Sequence, residues 1–237
     1  MESNEINQNI DDITLKENIN TAINNDEPIK FIIYKLSDRT EQQIQLALNN
    51  ILDKFNRPDL IPTIYTCIKE LLVNAIKANL KIIFFKNNNW NINDEDDYKK
   101  GTKEYKIRLG EDLLEKHMDT LIKNNQSVEL KFNYSENGMM CEIINMTPMS
   151  KYDDRSLREK LKHAMNADDI ADFFISYGDD TEGAGIGLAL VILLLKGEEI
   201  DPALFRIGVV ENKTIARIEI PFTDAYQPIR MFYESIQ

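Results

Sequence analysis

Glu70-Leu71-Leu72-Val73-Asn74-Ala75-Ile76-Lys77 is the stretch on which the reading of this chain turns. It lies in a segment after Pro58, from about Leu60 to about Ala78, whose spacing predicts a helix. At roughly 100° per residue, Ile61, Ile64, Tyr65, Ile68, Leu71, Leu72, Ala75 and Ile76 share one arc of about 140°. Opposite them stand Thr63, Thr66, Glu70, Asn74 and Lys77. The helix should therefore bury one side and present a polar stripe carrying Glu, Asn and Lys. Asn is a mediocre helix former, so Asn74 between Glu70 and Lys77, each one turn away, asks for a reason. An amide oxygen suits Mg²⁺, which keeps several waters and bridges phosphate oxygens. Lys77 offers a phosphate counter-charge, and Glu70 can orient or deprotonate a water. An exposed Glu–Lys face with an incidental Asn has the same pattern, and the stripe alone does not separate the two.

A second feature stands far downstream, where Glu182-Gly183-Ala184-Gly185-Ile186-Gly187 runs into the apolar segment Leu188 to Leu195. Without side chains at the three glycines the backbone can approach an anion closely, with free N–H groups and the positive helix end directed at it. A glycine-rich loop that only lets a helix pack tightly on a sheet is the alternative. Two nucleotide fingerprints are excluded. The kinase-type phosphate loop needs Lys and Ser/Thr after its last Gly, where Leu188 and Ala189 stand, and the dinucleotide fingerprint needs a Gly or Ala where Leu188 stands.

Working outward, Lys30 to Leu36 reads as a strand, and Thr40 with Gln43 reads as a capping box for a helix whose apolar face is Ile44, Leu48, Ile51, Leu52 and Phe55. Residues 1–28 are polar and are expected to form a tail or a frayed helix. Residues 86–126 look like an insertion: an Asn-rich stretch, the acidic run Asp94 to Asp97, and a helix from about Thr102 to Lys123. A calcium loop fails there because Tyr98 and Lys99 stand where a ligand and the turn glycine belong, so a solvated acidic loop is expected. Ser127 to Asn133, the Asn137-Gly138 turn and Met139 to Ile144 predict a hairpin. A helix from about Ser156 to Met165 and the Phe173-Phe174 pair follow. A second hairpin pairs Phe205 to Val210 with Thr214 to Phe222 through Glu211-Asn212-Lys213, and 223–237 reads as a C-terminal tail.

The 237 residues carry 28 Lys+Arg against 40 Asp+Glu, a formal charge of −12. Such acidity argues against nucleic acid and against an anionic membrane surface as partners. The longest apolar run, Leu188 to Leu195, is far short of the ~20 residues that a bilayer span requires. With no basic or apolar stretch at the N-terminus, a secretory signal is not expected, and a cytoplasmic protein is. Cys67 and Cys141 sit far apart in apolar surroundings and read as reduced core thiols.

The two features together carry a resemblance. Glu70-Leu-Leu-Val-Asn74-Ala75-Ile-Lys77 is similar to the N box (E-x-x-x-N-A-x-K), and Gly183-Ala-Gly185-Ile-Gly187-Leu188-Ala-Leu to the second glycine box, of the GHKL superfamily of gyrase, Hsp90, histidine kinases and MutL. The order of the boxes and the hairpins around them resembles the histidine-kinase branch, over roughly residues 29–222. The resemblance implies an α+β fold, a two-layer α/β sandwich with a mixed, mostly antiparallel sheet of the Bergerat type. It also implies an ATP site. Asn74 would coordinate Mg²⁺, Lys77 would contact phosphate, and the backbone of Gly183, Gly185, Ile186, Gly187 and Leu188 would wrap the phosphates. Glu70 would stand in the place of the water-activating carboxylate. Residues about 150–182 would form a lid, with Phe173 and Phe174 as its anchor.

One departure concerns the base. The family's first glycine box (D-x-G-x-G) supplies an Asp that accepts the adenine amino group; here the strand ends Ile143-Ile144-Asn145-Met146-Thr147-Pro148, with Asn145 in that place and the glycines gone. An amide oxygen accepts more weakly than a carboxylate. Thr214 matches the Thr that shares a water with this position and adenine in the family. The two histidines, His117 and His163, lack the setting of a phosphoacceptor and are expected at the surface or in the lid. A stand-alone Mg-ATP-binding protein is therefore expected, possessing ATPase or partner-phosphorylating kinase activity like the anti-sigma-factor kinases and admitting a homodimer. A non-catalytic nucleotide-sensing module is the alternative, and a structural α+β protein without a ligand is a third.

Overall fold

Alternation along the strands sets the architecture. Val128, Leu130 and Phe132 are buried while Glu129 and Lys131 between them are only partly so, and Ile29, Phe31 and Ile33 repeat the pattern. One sheet face is thus apolar and needs a helical cover. The computed structural model describes residues 4–6, 12–169, 171–173 and 186–230. Along the chain these form β1 (Asn4–Ile6), α1 (Asp12–Asn24), β2 (Ile29–Ile33), α2 (Asp38–Lys54), α3 (Ile61–Asn87), α4 (Glu95–Arg108) and α5 (Glu111–Lys123). There follow β3 (Val128–Ser135), β4 (Gly138–Asn145), α6 (Lys151–Asn166), α7 (Ile186–Gly197), β5 (Phe205–Val210) and β6 (Lys213–Pro221).

Among the described residues the strands make one sheet in the order β1-β2-β3-β4-β6-β5. Only β1 and β2 run parallel; every other neighbouring pair is antiparallel. The fold is α+β with a mixed, mostly antiparallel sheet, compatible with two layers. Both expected hairpins are present. Glu211 and Asn212 both take positive φ, the geometry of a two-residue hairpin turn whose twist matches its strands.

The long helix α3 buries Ile64, Ile68, Leu71, Leu72 and Ile76, as the spacing requires, and leaves Lys77 exposed. It continues past Ala78 to Asn87, and its last turns bury Leu80, Ile83, Phe84 and Phe85. No helix among the described residues is long and apolar enough to cross a membrane. Both cysteines are free and buried, and burial pushes the Cys67 thiol up to about 12.

Several expectations need correction. Within residues 1–28, expected as a tail or a frayed helix, Asp12–Asn24 form the packed helix α1, which buries Leu15, Ile19, Ala22 and Ile23, one helical face hidden within a polar composition. The cap of α2 is Ser37, whose Oγ accepts from the Thr40 N–H, so Thr40 lies inside the helix rather than at its start. The acidic run is largely solvent-exposed, as expected, but it starts a helix rather than forming a loop. Asp94 caps α4 by accepting from the N–H groups of Asp96 and Asp97, and the acids that follow complement the helix dipole. The helix expected from Thr102 to Lys123 is two, broken at Leu109 and Gly110. His117 is buried rather than on the surface, and burial lowers its pKa. The described part of the C-terminal tail folds back, with the Tyr226 hydroxyl and the Ile229 N–H both donating to the buried Glu219 carboxylate.

Candidate functional site

Helix α3 supplies the floor of the site. Asn74 donates its Nδ2 to the Glu70 carbonyl one turn back at 2.8 Å. Lys77, a turn further on, is exposed, and its main-chain carbonyl accepts from the Tyr105 hydroxyl of α4 at 2.7 Å.

Gly187, the second residue of α7, sits directly on this stripe. A Cβ at Gly187 would lie 2.1 Å from Glu70 Oε2, 3.1 Å from Glu70 Cδ and 3.4 Å from Asn74 Nδ2. Only a residue without a side chain can bring the backbone so close. Two stretches more than a hundred positions apart therefore meet at Glu70, Asn74 and Gly187, where the described part of an apolar helix begins. Ile186 opens α7 and Leu188 is half-buried against the core. Gly183 and Gly185 lie outside the described residues, as does Phe174, while Phe173 is buried.

The second part of the site is the end of β4. Asn145 is 4 % exposed and pairs in register with Thr214 of β6. Its Nδ2 donates to the Ala75 carbonyl at 3.1 Å, which ties the strand end to the middle of the α3 stripe. Its Oδ1 accepts from both the N–H and the hydroxyl of Thr147, at 3.3 and 3.0 Å. Thr214 reaches the same loop by donating its hydroxyl to the Thr147 carbonyl at 2.8 Å. The Thr147 hydroxyl also lies 3.1 Å from Oδ1 of Asn79, a residue 1 % exposed whose own Nδ2 donates to the Gln126 carbonyl.

A third cluster fastens the helix that follows. Lys81 of α3, 8 % exposed, pairs with Asp153 of α6 at 2.7 Å. Asp153 also accepts from the Tyr98 hydroxyl of α4 and from the Ser150 hydroxyl that caps α6. Burial alone would raise the Asp153 carboxyl, but the Lys81 charge and the hydrogen bonds of Lys81, Ser150 and Tyr98 outweigh it, so its pKa lies below the ordinary carboxylate value. Burial holds the Lys81 ammonium below its ordinary value, offset in part by Asp153. At the other end of α6, Lys196 of α7 donates to the carbonyls of Ala164, Met165 and Ala167, satisfying acceptors that a helix C-terminus leaves open. The segment expected as a lid thus begins with a helix tied at both ends.

Sequence reasoning singled out Glu70, Asn74 and Gly187, which the fold brings together, and Asn145 and Thr214, which pair across two strands. It missed Asn79, Thr147, Lys81, Asp153 and Lys196. A lysine inside the apolar run Leu80 to Phe85 was the available signal for Lys81, since such a residue needs a counter-charge once the helix is buried. Ser150 and Asp153 form a local capping pair that the sequence could have shown, whereas the ties of Thr147 to Asn79, of Asp153 to Lys81 and of Lys196 to the end of α6 join partners distant in sequence.

No family model matches the chain, and no solved structure matches it. The chain is similar to a Treponema pallidum (strain Nichols) protein described as uncharacterized, with 30% identity over 209 residues. That match covers 86% of this chain and 40% of the relative, so the chain spans well under half the length of the curated relative it matches.

Proposed function

We propose that the chain is a Mg-ATP-binding protein of the histidine-kinase-like ATPase class, on a Bergerat-type two-layer sandwich, that hydrolyses ATP slowly or passes its phosphate to a separate partner protein. The observation that carries this reading is the close approach of Gly187 to Glu70 and Asn74, which brings the N-box stripe and the glycine-rich helix start together. The donor set fits the group it would hold: the amide oxygen of Asn74, the Glu70 carboxylate one turn away, and the backbone at the start of α7. Asn74 would hold Mg²⁺, which when bound supplies neutralising charge to the phosphate oxygens. Lys77 would add a cation, and the backbone from Gly183 to Leu188 would cradle the phosphates. Glu70 would take the proton of the attacking water or hydroxyl. Asn145 and Thr214 would face the base. A cytoplasmic setting and a signalling partner belong to the same reading.

Thermal-shift titration with ATP, with and without Mg²⁺, tests it. Stabilisation that depends on Mg²⁺ and rises with nucleotide concentration supports the reading, because a ligand that binds only the folded chain raises its melting temperature by mass action. No shift with any nucleotide would favour a structural protein without a ligand.

One observation favours a second reading, a non-catalytic nucleotide sensor. Both ends of the Asn145 amide are already engaged within the protein, so the base-facing position offers no free acceptor. Single-turnover transfer with γ-labelled ATP separates the two readings: a sensor leaves ATP intact and labels no partner.

A further inference from the structure

Among the described residues, three lysines and one carboxylate gather where α3, α4 and α6 pack together. Lys81 of α3 is the buried member: its ammonium lies 2.7 Å from Asp153 of α6 and 4.3 Å from the centre of the Tyr98 ring of α4. The Tyr98 hydroxyl donates to the same carboxylate, and its ring packs 4.6 Å from that of Tyr152, so α4 and α6 are fastened to each other beside Lys81. Lys160, half-buried, follows Asp153 on the same face of α6, about two turns on. Lys106, exposed, follows Tyr98 by about two turns on α4, next to the Tyr105 whose hydroxyl reaches the Lys77 carbonyl of α3. Burial and then the Lys106 charge hold the Lys160 ammonium below its ordinary value, with Lys81 adding to them and Asp153 opposing. Burial lowers Lys81 too, where Lys106 again acts against Asp153.

The one described carboxylate does not balance this group. Asp153 is already shared among Lys81, Tyr98 and Ser150. Glu104 and Asp154, on the same helices, are taken by Arg108 and Arg158 one turn further on. Ammonium groups gathered in partly buried surroundings repel one another more strongly than in water, and an anion between them removes that cost. We infer that the junction of α3, α4 and α6 is an anion site in which Lys106 and Lys160 hold a phosphate group beside the Lys81–Asp153 pair. Lysine ammoniums suit a phosphate as point charges and as hydrogen-bond donors. The place is not the one proposed for the phosphates of a nucleotide. Gly187 meets α3 at Glu70 and Asn74, whereas Lys81 lies seven residues past Asn74, about 10 Å along the helix axis. Lys106 and Lys160 lie outside both the N box and the glycine box, and the inference stands whether or not the chain binds ATP.

Inorganic pyrophosphate without Mg²⁺ is the probe, titrated into the full chain while the melting temperature is followed, with sodium chloride at matched ionic strength as the control. The wild type should gain stability in a saturable way that chloride does not reproduce. Lys106→Gln and Lys160→Gln should each raise the half-saturating concentration about 10-fold or more, and the double variant should lose the response. Without pyrophosphate the same variants should melt no lower than the wild type, because they relieve repulsion; lysines with only a structural role would lower the melting temperature instead. Lys131→Gln, on the sheet, and Asn74→Ala should keep the wild-type response. ATP without Mg²⁺, added to Asn74→Ala, tells two sources of the phosphate apart: competition with pyrophosphate means that the phosphate chain of a nucleotide enters the junction, and no competition means that a free anion does. No response in the wild type, one that chloride matches, or lysine variants that respond as the wild type does would overturn the inference. So would a response abolished by Asn74→Ala, which would place pyrophosphate in the nucleotide site, or lysine variants that melt lower without the anion.

Discussion

Replacing Gly187 by alanine probes the contact on which the site depends. The added methyl would meet Glu70 Oε2 at 2.1 Å, far inside any tolerable approach, and Asn74 Nδ2 at 3.4 Å, an ordinary one. Glu70 is the part able to give, since its carboxylate ends a flexible side chain, so the backbone need not shift. Overpacking of this kind costs about 1–3 kcal/mol. Alanine returns up to ~1 kcal/mol of helix propensity. The net loss should be about 0.5–2 kcal/mol, read as a fall in Tm of about 2–4 °C for each kcal/mol in a chain of this size. In a Glu70→Ala background the close contact is gone, and Gly187→Ala should become neutral or stabilising. Urea denaturation of the four proteins gives the coupling directly, expected at roughly 1–3 kcal/mol for residues in contact. The reasoning fails if Gly187→Ala costs the same with and without the Glu70 carboxylate.

The other predictions concern the carboxylates and the ties of α6. Glu70→Gln should retain Mg-ATP binding and slow hydrolysis or transfer by about 10²–10⁴-fold if Glu70 is the general base, measured by phosphate release. Asp153→Asn leaves Lys81 buried without its counter-charge and should destabilise by about 1–3 kcal/mol, less than for a fully enclosed pair because Asp153 keeps some contact with water. The sign with pH follows from the lowered Asp153 pKa: its contribution is fully present above the ordinary carboxylate value of 3.8 and is lost as the pH falls through the lower folded-state value. Acid unfolding monitored by circular dichroism should therefore lose part of its steepness in Asp153→Asn. Lys196→Met removes the donor from three carbonyls at the end of α6 and should speed amide exchange in residues 160–167 by about 10-fold, with little change in α3.

How much of this was legible in the sequence depends on the range of the interaction. The two faces of α3 follow from spacing within a single helix: Ile64, Ile68, Leu71, Leu72 and Ile76 are buried as expected, while Ile61, Tyr65 and Ala75 are only partly so and Cys67 joins the buried set. Both hairpins were legible because turn residues and alternation are local. The face of α1 was not, since a composition rich in Asn, Asp and Glu masks four apolar positions that gain their meaning only when packed on α2 and the sheet. The run Asp94 to Asp97 was misread for a related reason: acids at a helix start and acids in a loop look alike until the helix is known. In the site, the glycine and Asn motifs were visible, whereas Asn79, Thr147 and Lys81 acquire roles from partners 47, 68 and 72 positions away. A departure from a family pattern at Asn145 was visible too, but the tie of its amide nitrogen to the Ala75 carbonyl, 70 positions away, could be found only in three dimensions.

Calorimetric titration of the full chain with Mg-ATP, in the wild type and in Asn74→Ala, tests the central claim most directly. Asn74 is half-exposed on a helix face, so its replacement should leave the fold and its melting temperature nearly unchanged. The account predicts saturable binding at one site per chain in the wild type, lost in Asn74→Ala and lost equally when Mg²⁺ is withheld. Absence of binding in the wild type, or binding that survives Asn74→Ala, would contradict it.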